Sequence, residues 1–245
     1  MYNSPLSPDR AERLIGQLNL APGNRVLDIG CGDGLFLLNV VARYQAFGIG
    51  VDNDPSLTQE AQESAAQRNL ESLTRFLTLE AAAYVPETLF DLILCIGSEF
   101  TIGGYESLLK KMRTMVDVGG LALVGTVVWK RPPSEEYLRL MNGENPYHDY
   151  ITTFDLAEQQ GWLVLEHSRS NEDEWDSFEG KFTRARYLKL LQNPDDPNFE
   201  AGMARMRAWQ RGYLTHGRDT MGFCFFLLRK MPSSWRSPTI NERNI

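Results

Sequence analysis

The sequence predicts an α/β fold built on a parallel sheet covered on both faces by helices. Three observations carry that expectation. Short apolar runs suited to buried strands alternate with amphipathic helical segments along the chain. The strongest runs, Val26-Leu27-Asp28-Ile29 and Phe90-Asp91-Leu92-Ile93-Leu94-Cys95-Ile96-Gly97, are nearly continuous, as in strands buried on both faces. A glycine-rich turn, Gly30-Cys31-Gly32-Asp33-Gly34, joins the first run directly to the apolar segment Leu35–Val41.

Glycine suits that turn because it accepts positive φ and lets a ligand approach the bare backbone. The turn also opens a helix, so unpaired N–H groups and the positive end of the helix face the same space. The spacing is G-x-G-x-G, not the G-x-G-x-x-G of dinucleotide sites, and Leu35 stands where the third dinucleotide glycine would fall. Asp28, just before the turn, suits an ammonium group or the ordering of the loop better than a pyrophosphate. On these residues the stretch 26–34 resembles the first motif of the class I S-adenosylmethionine-dependent methyltransferases.

The resemblance runs from Ser7 to about Lys230, with its specific motifs between Val26 and Trp129. It implies a Rossmann-like, doubly wound sheet of seven strands with the last strand antiparallel. It also implies S-adenosylmethionine as cofactor and methyl transfer as the reaction. Gly104-Tyr105-Glu106, Pro133-Ser134-Glu135-Glu136-Tyr137-Leu138, Trp175-Asp176 and Arg218-Asp219-Thr220 resemble a small subgroup of that family acting on small molecules. Two other readings are open from the sequence: a nicotinamide-dependent oxidoreductase, disfavoured by Leu35 and Asp28, and a non-catalytic module that binds S-adenosylmethionine.

Composition bounds these readings. The 245 residues, 42% hydrophobic and 23% charged, suit one soluble domain spanning 1–245 with a large core. The net charge is −7 and no block of lysines and arginines forms a nucleic-acid stripe, so such a partner is disfavoured. Cys31, Cys95 and Cys224 lie in apolar or motif contexts without metal-ligand spacing and read as reduced thiols in a cytoplasmic protein. Met1–Pro5 lacks the basic flank and apolar run of a signal peptide. The longest apolar run, Phe223–Leu228, is too short to cross a membrane.

In order, Ser7-Pro8 starts a helix carrying Ala11, Leu14, Ile15 and Leu18 at helical spacing, and Pro22-Gly23 ends it. The polar segment before it is placed to fold over the cofactor pocket. Gly48–Asp52 is the second strand, Asp54-Pro55 caps a helix to about Leu70, and Phe76–Leu79 is the third strand. Tyr105, Leu108, Leu109, Met112, Met115 and Val116 share a helical face, which Gly119-Gly120 is expected to stop before a fifth strand, Leu121–Trp129. A short helix, Phe154–Gln160, precedes a sixth strand, Trp162–Leu165. Asn171 caps a long acidic-to-basic helix, Asn193–Pro197 turns, and a second helix runs to about Tyr213. This pair, 171–213, departs from the minimal family pattern and is expected to cap the acceptor side. Met221–Leu228 is the last strand, and 231–245 is expected to be a loose tail.

The cofactor's parts call for different partners. Asp52 ends a strand about 20 residues past the turn, where a ribose diol is held, and Asn53 follows it near the adenine edge. Gly30, Cys31 and Gly32 would line the methionine portion through their backbone. Glu80-Ala81 occupies the place where the family has an acid accepting from the adenine amino group. Gly97 would let the amino-acid end approach, and Ser98-Glu99-Phe100 would face the methyl-transfer point. No catalytic residue is assigned; Glu99 and His148 are the candidates if the acceptor needs a base. Phe100, Trp129, Tyr147, Trp175 and Tyr213 are expected to form an aromatic acceptor pocket, although Trp175, Phe178 and Phe182 equally suit a helix core. Neither the Asn/Asp-Pro-Pro-Tyr/Phe motif nor the magnesium-binding acids of some family members are present, so no metal is expected.

Overall fold

The computed structural model describes residues 2–235, so the part of the expected tail from 236 onward lies outside the described residues. Helix α1 (Pro8–Gly16) begins under Ser7, whose hydroxyl accepts the Arg10 N–H at 3.3 Å. Strand β1 (Arg25–Ile29) passes through the glycine turn into α2 (Leu35–Tyr44). Strand β2 (Phe47–Asp52) leads to α3 (Pro55–Gln67), capped by Asp54, which accepts the Ser56 N–H at 2.8 Å. Strand β3 (Thr74–Thr78) and β4 (Phe90–Ile96) follow, then α4 (Tyr105–Met115), β5 (Val116–Trp129) and the short α5 (Glu135–Leu140). Helix α6 (Tyr150–Gln159), β6 (Trp162–Arg169), α7 (Glu172–Leu191), α8 (Phe199–Gly212) and β7 (Met221–Lys230) complete the order.

The strands form one sheet in the order β3-β2-β1-β4-β5-β7-β6, parallel from β3 to β5 and antiparallel where β7 meets β5 and β6. This is the doubly wound, Rossmann-like sheet with an antiparallel last strand. Along β4 the side chains alternate between two apolar layers: Leu92 and Leu94 join α1, α2 and α3, while Ile93 and Cys95 join α4 and α6. Both faces are therefore dry, which is why that strand reads as an unbroken apolar run. Each fully buried leucine in it contributes about 1.5–3 kcal/mol relative to exposure.

The structure departs from the expected boundaries in several places. Helix α4 ends at Met115, and Val116, expected on its face, pairs with Phe90 at the start of β5. Gly119-Gly120 therefore does not stop the helix but lies within β5, where the register with β4 shifts between Phe90 and Leu92. Gly119 takes φ +86°, and a Cβ on Gly120 would meet Val116 Cγ2 at 2.4 Å, so both belong to a bulge that excludes side chains. Helix α6 starts at Tyr150, four residues early, because Asp149 accepts the Thr152 N–H at 2.8 Å. Strand β6 runs on to Arg169, carried by its pairing with β7. In the expected tail, the Met231 N–H donates to the Gly161 carbonyl at 3.1 Å and its carbonyl accepts from Arg113 at 3.2 Å.

The segment between β6 and β7 begins and ends on the same side of the sheet. Arg169 pairs with Cys224, and Met221 pairs with Trp129, the last residue of β5, so α7 and α8 both rise from the carboxyl edge. A buried knot fixes the start of α7. Glu174 Oε1 accepts the Ser7 N–H at 3.0 Å, the Ser7 hydroxyl at 2.6 Å and Arg10 Nε at 2.9 Å, while Oε2 accepts the Asn171 N–H at 2.9 Å. Burial alone would raise the Glu174 carboxyl, but these Arg10, Ser7 and Asn171 donors together hold it at about 2. The Ser170 hydroxyl donates to the Pro5 carbonyl, tying the N-terminal segment to the same junction.

Candidate active site

The site forms where the parallel strands end. The glycine turn hangs from β2, with the Gly30 and Cys31 N–H groups donating to the Val51 carbonyl at 2.8 and 3.1 Å. Gly32 N–H donates to Asp52 Oδ2 at 2.9 Å, and Asp52 Oδ1 accepts the Asp54 N–H at 3.0 Å. Each oxygen of Asp52 keeps acceptor capacity for a further donor. Asn53 Nδ2 donates to Glu80 Oε1 at 3.1 Å, joining the ends of β2 and β3. The Ser98 hydroxyl, just past β4, reaches back to the Gly30 carbonyl at 3.4 Å. The Cys31 thiol is raised by burial and by nearby Asp28, which keeps it protonated and unreactive.

These edges enclose a cavity of about 630 Å³. The structure gathers Asp28, Gly30, Cys31, Gly32, Asp52, Asn53, Glu80, Ala81 and Gly97 around this space. Gly32 takes φ +55°, and a Cβ built on it would meet nothing within 4 Å, so the bare backbone borders open space. Asp28 is buried at 4% exposure, and its carboxyl accepts no hydrogen bond among the described residues. Burial, then the negative charges of Asp52 and Asp33, push its carboxyl up to about 7. An unpaired buried carboxylate of this kind fits a cationic ligand group, as the ammonium of an amino-acid end would be. Ribose hydroxyls fit the acceptor capacity of Asp52, and an adenine edge fits the Asn53–Glu80 pair.

The expected acceptor residues do not all reach this cavity. Phe100 lines its rim and is 74% exposed, beside Thr101. Trp129, Tyr147, Trp175 and Tyr213 are not among the lining residues. Trp129 is buried, donates from Nε1 to Asn145 Oδ1 at 2.7 Å and packs edge-on against Tyr137 and Tyr147. Trp175 is buried edge-on against Phe178 and Phe223, with Nε1 unpartnered among the described residues. Tyr213 is buried and donates its hydroxyl to Asp176 at 2.7 Å. The large apolar area of these rings draws them into the layer between insertion and sheet.

Neither candidate base lines the cavity. Glu99 is turned inward: Oε1 accepts the Thr126 hydroxyl at 2.7 Å, and Oε2 is buried without a partner among the described residues. Burial raises its carboxyl against the opposing Thr126 hydrogen bond. His148 is exposed, and its carbonyl accepts the Trp129 N–H at 2.9 Å. No group of three or more His, Cys, Asp or Glu among the described residues is arranged to hold a metal ion.

Other lining residues come from segments the motifs do not mark. Tyr2, Asn3, Ser4 and Leu6 line the cavity. Tyr2 is latched at α2, its hydroxyl accepting from Asn39 Nδ2 at 2.9 Å and its ring edge-on to Phe36. Helix α7 contributes Phe178 and Lys181. Their spacing from Glu174, at i+4 and i+7, is the available sequence signal, because it sets all three on one stripe.

Residues 26–120 match the family of methyltransferase domains. Residues 26–120 thus carry a methyltransferase domain, and the sheet order and the glycine turn are those of the class I S-adenosylmethionine-dependent methyltransferase fold. The nicotinamide reading is set aside. The chain is similar to the protein YjhP of Escherichia coli K12, 26% identical over 231 residues, 92% of each chain. It shares its fold with an S-adenosylmethionine-dependent methyltransferase from Geobacter sulfurreducens solved with S-adenosyl-L-homocysteine. That likeness has TM-score 0.86 and 24% identity, over 94% of this chain and 93% of that one. A ubiquinone biosynthesis O-methyltransferase of Xanthomonas campestris pv. campestris is 27% identical over 168 residues, 64% of this chain and 67% of that protein.

Proposed function

We propose that this enzyme methylates a small-molecule acceptor and releases S-adenosylhomocysteine. The cavity carries the reading: a concave space of about 630 Å³, bordered by Tyr2, Ser4, Leu6, Phe100 and Phe178, is the size of a small-molecule site. The O-methyltransferase relative named for ubiquinone biosynthesis supports a small acceptor. The net charge of −7 supports it against a nucleic acid.

Bound S-adenosylmethionine supplies a methyl group on a positively charged sulfur. The chain's part is to bind, align and exclude water. Asp52 holds the ribose diol, Asn53 and Glu80 the adenine edge, and Asp28 the ammonium. Gly30, Cys31, Gly32 and Gly97 let the amino-acid end lie against backbone, with Ala81 as an apolar wall. Phe100 and Phe178 flank the acceptor, while Trp129, Tyr147, Trp175 and Tyr213 support that wall from behind. The enzyme is read as cytoplasmic, supported by three buried free cysteines. No helix among the described residues is long and apolar enough to cross a membrane.

The test is S-adenosylhomocysteine release from S-adenosylmethionine over pooled small metabolites. Turnover with one pool and none with RNA or protein is the expected result. Cofactor binding without turnover on any pool would favour the binding-module reading.

A further inference from the structure

We propose that Lys181, carried by the insertion between β6 and β7, holds the carboxylate of the cofactor's amino-acid end. The charge distribution of the cavity demands such a group. Five acids line it, Asp28, Asp33, Asp52, Glu60 and Glu80, and Lys181 is the single basic side chain among the described lining residues. The amino-acid end of the cofactor carries an ammonium, which Asp28 fits, and also a carboxylate, which all five acids repel. A cation within the lining offsets that repulsion.

The fold delivers the lysine to the cavity. Glu174, Phe178 and Lys181 follow at i, i+4 and i+7 on α7, one stripe of the helix. The first is locked to Ser7 and Arg10 of α1, and the other two line the cavity. Seven residues at 1.5 Å rise place Lys181 about 10 Å along the helix from that lock. The opposite stripe, Trp175, Glu179 and Thr183, is buried, so the helix cannot turn Lys181 away without exposing them. Tyr2, Ser4, Leu6, Phe178 and Lys181 also line a second hollow of about 250 Å³, so together they form the partition beside the main cavity. Through Lys181 the insertion becomes part of the cofactor site and not only a wall for the acceptor.

Calorimetry on the full chain tests this with two probes, S-adenosylhomocysteine and 5′-methylthioadenosine, which keeps the nucleoside and sulfur but lacks the amino-acid end. Lys181→Met should weaken S-adenosylhomocysteine binding about 10–100-fold, the range for losing a hydrogen bond to a charged group. Binding of 5′-methylthioadenosine should not change, and Lys181→Arg should restore most of the loss. Unchanged S-adenosylhomocysteine affinity in Lys181→Met overturns the proposal, and so does equal weakening of both probes, which marks a structural role. If the wild-type chain binds no S-adenosylhomocysteine, the cofactor assignment itself fails and the proposal with it.

Discussion

The Gly32 amide donates to Asp52 Oδ2 at 2.9 Å, so the turn after β1 and the acid ending β2 are one hydrogen-bonded unit. Asp52 therefore shapes the turn, and under the proposed function it also offers acceptors to a ribose. Asp52→Ala should weaken S-adenosylhomocysteine binding by about 1.5–3 kcal/mol for the lost charged acceptor and lower the melting temperature through the loosened turn. Calorimetry and thermal melting check both. Unchanged affinity in the folded variant would remove the ribose assignment.

Two glycines of that turn separate binding from folding. At Gly32 a Cβ meets nothing within 4 Å, whereas at Gly34 it meets Phe76 Cε1 at 2.8 Å and Ala61 Cβ at 2.9 Å. Gly32→Val should leave the chain folded, at the cost of about 1–2 kcal/mol for positive φ, and place its side chain in the cavity, abolishing binding if the proposed cofactor site is right. Gly34→Ala should cost a further 1–3 kcal/mol or so from overpacking. Circular dichroism melts compared with S-adenosylhomocysteine titrations distinguish the two.

Asp28 holds its proton up to about pH 7 in the fold, against 3.8 for an ordinary aspartate. The folded chain thus binds more protons between those values. Asp28 stabilises the ligand-free fold below about pH 4, and that contribution is lost as pH rises through about 7. A cationic ligand favours the ionised form, so binding near pH 6 should release a proton and be weaker than near pH 8. Titrations in buffers of different ionisation enthalpy measure that proton; Asp28→Asn should not release it.

Glu174 acts with the opposite sign. Its folded value of about 2 lies below the ordinary 4.5, so its contribution is complete above about 4.5 and lost as pH falls toward 2. Glu174→Gln should cost about 3 kcal/mol at pH 7 by leaving Arg10 without its buried partner. Its melting temperature should then fall less than the wild type's between about pH 5 and pH 3. Parallel curves would show that the knot carries no such weight.

Trp175 and Phe178 should part company when truncated. Trp175 is buried against Phe223, so Trp175→Ala should cost about 3–5 kcal/mol of stability with little change in cofactor affinity at low temperature. Phe178 is half-buried and borders the cavity, so Phe178→Ala should retain more stability and lose turnover. The reverse pattern in melting and activity assays would return Trp175 to the pocket.

Where local chemistry fixes an outcome, the sequence was readable. The glycine turn, the acid at the end of β2 and the doubly buried run of β4 each follow from backbone freedom, strand-end position or two-sided burial, and the structure brings these edges together at one cavity. Gly119-Gly120 misled because the same pair serves a helix stop and a β-bulge, and only the pairing of Val116 with Phe90 chooses between them. The aromatics of the insertion misled for a related reason. A tryptophan suits a pocket wall and a core equally, and Trp175 went to the core while Phe178, three residues on, reached the cavity. For Lys181 the spacing from Glu174 was the one local signal, and its proposed role depends on five acids from distant parts of the chain.

The antiparallel β7 also bears on how such an enzyme can diversify. A parallel strand in its place would need the chain to return to the far edge, and every change in length would disturb a crossover. With β7 reversed, β6 and β7 form a long hairpin whose connecting segment borders the cavity. Whole helices can be lengthened, exchanged or grafted there while β1 to β4 and their turns stay untouched. The position is a natural exchange point for selectivity, and chimaeras cut at Ser170 and Thr220 would make use of it.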